Sequence, residues 1–158
     1  MTAETTVNAY LRTRVLTASP EQLRLMLLEG AIRFLRQGRD GLARKDFEAS
    51  FDGMSKARNI VIELMNSMRP EVAPELCAKV HGLYVYIYQT MVEAGMEKSI
   101  AKADKAIELL EFERETWVLT MEKVAAERRG GAAAAATAAP VIAEPSPSRA
   151  HQPLSVQG

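Results

Sequence analysis

Twenty lysines and arginines against twenty aspartates and glutamates leave this 158-residue chain with no net charge at neutral pH, so no whole-molecule field draws it to nucleic acid or an anionic membrane. Hydrophobic residues make up 47% and charged residues 25%, the balance of a soluble chain folding around one core. A single cysteine, Cys77, excludes an intrachain disulfide and a multi-cysteine metal site, and suits a reducing compartment.

The opening Met1-Thr-Ala-Glu-Thr-Thr6 has neither the basic nor the apolar region of a signal peptide. No apolar run approaches the roughly 18 residues that cross a bilayer. The expectation is a cytoplasmic protein with no membrane insertion. Residues 1–18 place Val7, Tyr10, Leu11, Val15 and Leu16 too irregularly to specify a helix or strand, and read as a mobile arm. Tyr10 and Leu11 either fold back onto the body as an apolar lid or do so reversibly.

The first helix is written in full. Ser19 is an N-cap, Pro20 fits the first helical position, and Gln22 completes a capping box. The helix should run to about Arg44, with Leu23, Leu27, Ala31, Phe34, Leu35 and Leu42 as its core stripe. Gly30 and Gly38 would let another backbone approach, while Gly38 and Gly41 weaken the end. Leu25 and Ile32 lie seven residues apart on the far side, where one-sided burial leaves them wet.

Asp46 can cap a second, antiparallel helix with a stripe of Phe47, Phe51, Met54, Ala57, Val61, Met65 and Met68, ending before Pro70 and Pro74. The run Leu83-Tyr-Val-Tyr-Ile-Tyr88 has strand propensity. The spacing of Leu76, Val80, Leu83, Tyr84, Ile87 and Met91 nevertheless predicts a third helix from about Pro74 to Ala94, with Gly95 as its cap and Val85 and Val92 off its stripe. Ser99 can cap a fourth helix with a seam of Ile100, Ala103, Ile107, Leu110, Trp117, Met121 and Val124. Arg114 interrupts that seam, its head reaching water or a carboxylate such as Glu111 or Glu115, and Phe112 and Leu119 are displaced from it. From Gly130 an alanine run followed by Pro140, Pro145, Pro147 and Pro153 reads as a disordered tail.

The expected fold is therefore all-α: an antiparallel four-helix bundle over residues 19–129, with a mobile N-terminal arm (1–18) and a disordered C-terminal tail (130–158). Catalytic machinery is not visible. Neither His81 nor His151 sits in a Glu-x-x-His pair, there is no phosphate-binding loop or nucleophile elbow, and the apolar flanks of Cys77 read as those of a buried, inert thiol. No enzyme activity, metal or cofactor is expected. The informative surplus is three seven-spaced pairs, Leu25 with Ile32, Val85 with Val92, and Phe112 with Leu119. Either they form ridges that receive apolar partner helices, or a wider bundle packing buries them.

Tyr10, the stretch Val15-Leu-Thr-Ala-Ser-Pro-Glu-Gln-Leu23, Met26-Leu-Leu-Glu-Gly-Ala-Ile32, and the segment from Leu109 to Trp117 resemble the flagellin-specific export chaperones, the FliS family, over about residues 7 to 124. The resemblance implies a helical bundle without turnover that binds the C-terminal segment of newly made flagellin in the cytoplasm. The wrapped cargo would be unable to polymerise early and would stay fit for type III flagellar export. It further implies a role for Tyr10, with Val7 at a matching apolar position, in contacting cargo or the export gate. Leu28-Glu29 stands where the family usually has Tyr-Asp, and the Ala/Pro tail is longer than the family pattern. Self-association through the same ridges, as a scaffold without flagellin cargo, is the alternative.

Overall fold

Ser19 and Pro20 set the first boundary in the computed structural model, which describes residues 3–138. Pro20 disfavours helix at the residue before it and has no N–H to continue one, so α1 (Ala3–Thr17) stops and α2 (Pro20–Ala43) begins. Gln22 N–H donates to Ser19 Oγ at 3.2 Å and Ser19 N–H donates to Gln22 Oε1 at 3.1 Å, completing the reciprocal box. Three further helices follow: α3 (Phe47–Asn66), α4 (Pro74–Glu97) and α5 (Ile100–Thr137). The fold is all-α, and among the described residues there is no strand.

The caps expected at Asp46 and Ser99 both form: Ala49 N–H donates to Asp46 Oδ1 at 3.1 Å and Lys102 N–H to Ser99 Oγ at 3.2 Å. Gly95 is not a cap. It lies inside α4, which ends at Lys98 in the left-handed conformation, φ 52° and ψ 43°. Two further boundaries differ from expectation. The expected arm is helical, so the described chain has five helices, although no α1 residue is buried. Helix α5 also passes through Gly130 and Gly131 to Thr137 instead of stopping at 130. A glycine pair costs about 2 kcal/mol relative to alanine, and the alanine run that follows supplies the best helix formers available. The remaining tail, 139–158, lies outside the described residues.

Residues up to Lys123 form one compact unit, and those from Val124 a second. In the first unit α2 runs antiparallel to both α3 and α5, as the paired residue numbers show: Gly41 meets Ser50 and Gly30 meets Ile60, while Glu29 reaches Arg114 and Arg39 reaches Asp104. Leu28, Ala31 and Leu35 of α2 meet Met54, Ala57, Val61 and Leu64 of α3, Tyr84, Ile87, Met91 and Ala94 of α4, and Ala103, Ala106 and Leu110 of α5. In the second unit every described residue is exposed.

The α2–α3 interface is the tightest. A Cβ placed on Gly53 would lie 2.6 Å from Gly38 N and 2.7 Å from Phe34 O, and one on Gly41 would lie 2.6 Å from Ser50 N. The two backbones therefore touch where the facing residues are glycine or serine. This contact turns the small face of α3, Ser50 and Gly53, inward and leaves Phe47 and Phe51, expected in the core, exposed at 45% and 69%. On α2 the buried line is also shifted. Leu23 is exposed and Ile32 is buried, because neighbours on both sides of α2 cover a wider arc than one stripe.

Candidate functional site

Of the three seven-spaced pairs, one stands clear of the core on both members. Phe112 and Leu119 of α5 are 60% and 65% exposed. Val85 and Val92 of α4 are half-buried, as is Leu25 of α2. Ile32 is a correction to the ridge reading: it is 5% exposed and belongs to the core cluster. On α1, Val7 and Tyr10 stand free and Leu11 is at the margin of exposure.

Val92 opens onto the more apolar of two grooves among the described residues. An open groove of about 430 Å³ follows the α3–α4 seam, with Phe47, Phe51 and Met54 on one wall and Tyr88, Val92 and Met96 on the other. The helices come close at its floor, where a Cβ on Gly95 would lie 3.5 Å from Met54 Sδ. No acidic side chain lines it, and Arg58 and Lys98 are its cations. Periodicity alone places Phe47 and Phe51 in the core and passes over Tyr88 and Met96. The signal that would have found them is the small-residue set Gly38, Gly41, Ser50 and Gly53, which fixes how α3 is rotated.

A second groove, about 710 Å³, lies between α2 and α5 and is polar. Arg36 pairs with Glu111, Arg39 Nε donates to Asp104 Oδ1 at 2.8 Å, and Arg114 Nη2 donates to Glu29 Oε1 at 3.2 Å. The Arg114 head reaches a carboxylate, as its place in the seam implies, but that of Glu29 across on α2, not Glu111 or Glu115 on its own helix. The hydrogen bond from Arg39 to Asp104, with the carboxylate's charge, raises the guanidinium's affinity for its proton. These pairs are largely exposed, so solvent screens them and each adds little to stability.

One polar network ties three helices from within. Tyr84 is fully buried; its hydroxyl accepts from Arg24 Nη2 at 3.0 Å and donates to Glu113 Oε2 at 3.2 Å. Burial pushes the phenol's pKa well above its usual range, and the charge of Glu113 adds to this while that of Arg24 opposes it. Arg24 also lies 5.2 Å from the Trp117 ring centroid, and Trp117 Nε1 donates to Glu21 O at 3.0 Å.

Groups associated with reactivity are scattered. Cys77, expected to be buried, is half-buried and its thiol donates to Arg69 O at 3.3 Å; His81 is exposed. Among the described residues no cluster of three or more His, Cys, Asp or Glu could hold a metal ion. Nor is any helix there long and apolar enough to cross a membrane.

A family model described as "Flagellar protein FliS" matches residues 3–124. The chain is 26% identical over 130 residues to the flagellar secretion chaperone FliS of Bacillus subtilis (strain 168), covering 82% of this chain and 96% of that relative. To the flagellar secretion chaperone FliS of Salmonella typhimurium (strain LT2) it is 30% identical over 104 residues, 65% of this chain and 77% of that one. A crystal structure of a flagellar chaperone from bacteria shares the fold at a TM-score of 0.62 and 17% identity, over 75% of this chain and 98% of the other. The family match runs from α1 into α5 across the helices that carry the groove and the ridges, and by it the chain belongs to the FliS family, whose relatives named here are flagellar secretion chaperones.

Proposed function

We propose that this protein binds the C-terminal segment of flagellin in the cytoplasm, prevents its premature polymerisation and keeps it competent for type III flagellar export, without catalysing a reaction. The observation that carries this reading is the α3–α4 groove, with Phe47 and Phe51 on its wall, in a chain of a flagellar chaperone family. Phe112 and Leu119 offer an exposed apolar pair on α5, and Leu25, Val85 and Val92 contribute partly covered apolar residues. Val7, Tyr10 and Leu11 of α1 are assigned to cargo or export-gate contact.

The mechanism is folding coupled to binding. An unstructured segment that becomes helical loses about 2–5 kcal/mol in ordering, and burying an aromatic or large aliphatic side chain returns about 1.5–3 kcal/mol when complete. Several half-exposed anchors along one groove suffice to offset the ordering term. Calorimetric titration with the C-terminal segment of flagellin from the same organism, against a scrambled peptide, tests this. Saturable binding with a negative heat-capacity change and a gain in helicity is expected, and Phe51→Ser should weaken it about tenfold, or about 1.4 kcal/mol. Absence of binding at high concentration would remove the cargo. Concentration-dependent oligomers in sedimentation would then favour the self-associating scaffold.

A further inference from the structure

The two cations of the α3–α4 groove have no carboxylate partner among the described residues. Among the described residues the Arg58 guanidinium donates only to Ser55 Oγ, at 3.2 Å, within its own helix. Lys98 Nζ lies 4.0 Å from the centroid of the Phe47 ring. Of the acidic residues on the same helices, Asp52 pairs with Lys56 at 2.8 Å, and Glu93 and Glu97 with Lys102 at 2.6 and 2.9 Å. Lys98 also occupies a left-handed position, φ 52°, where glycine is the low-energy residue.

The cations stand at opposite ends of the apolar stretch. From Phe47, beneath Lys98, to Arg58 helix α3 advances about 16 Å at 1.5 Å per residue, which is about three turns of a helix laid alongside. A seam between two antiparallel helices accepts the ridge of a third. We propose that the groove takes one amphipathic helical segment of this length, apolar at i, i+3 or i+4, and i+7, with carboxylates near both ends that pair with Lys98 and Arg58. Apolar anchors between Phe47, Phe51, Val92 and Met96 supply affinity, and the end charges set register and exclude segments with basic ends. The inference deepens the cargo reading, on which its choice of a peptide occupant rests.

Two fluorescein-labelled, stapled helical peptides of three turns, with the same leucine face and either glutamate or lysine at both ends, test it by anisotropy on the full-length chain. The glutamate peptide should bind at least tenfold tighter. The variant Arg58→Glu with Lys98→Glu should reverse the preference, and Arg58→Gln with Lys98→Gln should abolish it, with circular dichroism confirming unchanged helix content in both. Phe51→Ser should weaken both peptides alike. Equal binding of the two peptides, no binding of either, or a preference that survives the charge reversal would overturn the inference. Titrating the flagellin segment in parallel separates the two ideas. Loss of flagellin binding in Phe51→Ser without any charge preference sinks the charge rule and keeps the cargo. Flagellin binding indifferent to Phe51→Ser, alongside peptides that obey the rule, keeps the acid-flanked helix and removes flagellin from this groove.

Discussion

Gly53 faces Gly38 across a gap that holds no methyl group, and the atoms a Cβ would strike are backbone, which cannot swing away. Alanine at this position is favoured in a helix by about 1 kcal/mol, yet the clash forces α2 and α3 apart at a cost of about 1–3 kcal/mol or more. Gly53→Ala should therefore lower the urea midpoint, whereas Gly82→Ala, with open space around it, should raise it slightly. A Gly53→Ala midpoint equal to wild type would mean the interface is looser than drawn. Ile32 makes the opposite point about exposure. At 5% exposed, Ile32→Ser should cost about 2–4 kcal/mol by leaving a cavity and an unpaired hydroxyl, so any loss of cargo binding in that variant reports unfolding. Tyr84 gives a pH signature. Its folded pKa is raised by burial, so its contribution is fully present below the unfolded value of about 10 and is lost as pH rises beyond it, where the unfolded phenol ionises first. In Tyr84→Phe the loss of the Arg24 and Glu113 hydrogen bonds lowers stability at neutral pH, and the decline above about pH 10 becomes shallower. Identical alkaline limbs in chemical denaturation of the two proteins would contradict the assignment.

At the scale of the helices, the rotation of α3 decides what is core and what is surface. Phe47 and Phe51 fall on a stripe with Met54 and Val61, and periodicity alone favours burying aromatic side chains. The structure buries Ser50 and Gly53 instead, because backbone contact along the α2–α3 seam brings whole helices closer than phenyl rings would allow. Phe47→Ser with Phe51→Ser should accordingly change thermal stability by under about 1 kcal/mol, while Met54→Ala, fully buried, costs about 2–5 kcal/mol. Melting curves that rank these the other way would return the phenylalanines to the core. Helix starts were legible at Ser19, Asp46 and Ser99 because a capping side chain acts within three residues of itself. The helicity of residues 3–17 and 130–137 was not, since neither segment has the periodic apolar stripe from which helices are read, and α1 buries no residue at all.

Across the whole molecule, the family resemblance and the all-α class were readable from local patterns, while the exposed apolar surface was only partly so. The exposure of Phe112 and Leu119 was legible because α5 is covered on one side; the burial of Ile32 was not, because α2 has neighbours on both. Which side chains stand free depends on packing between helices distant in sequence, and a single-helix projection does not contain that information. The same distinction bears on the C-terminal extension. The family match ends at residue 124, the compact unit ends at Lys123, and all described residues from Val124 onward are exposed. A helical segment that buries nothing adds little to the free energy of the core, since most helical stability in proteins comes from packing of an apolar face. Ending the chain after Val124 should therefore leave the unfolding free energy within about 0.5 kcal/mol and the affinity for the flagellin segment within about twofold, while the helical signal falls by the turns removed. If the shortened chain loses more than about 1 kcal/mol, the extension stabilises the fold. If it keeps its stability but binds the segment tenfold more weakly, the residues after Val124 belong to the cargo surface and the groove on α3 and α4 supplies only part of it.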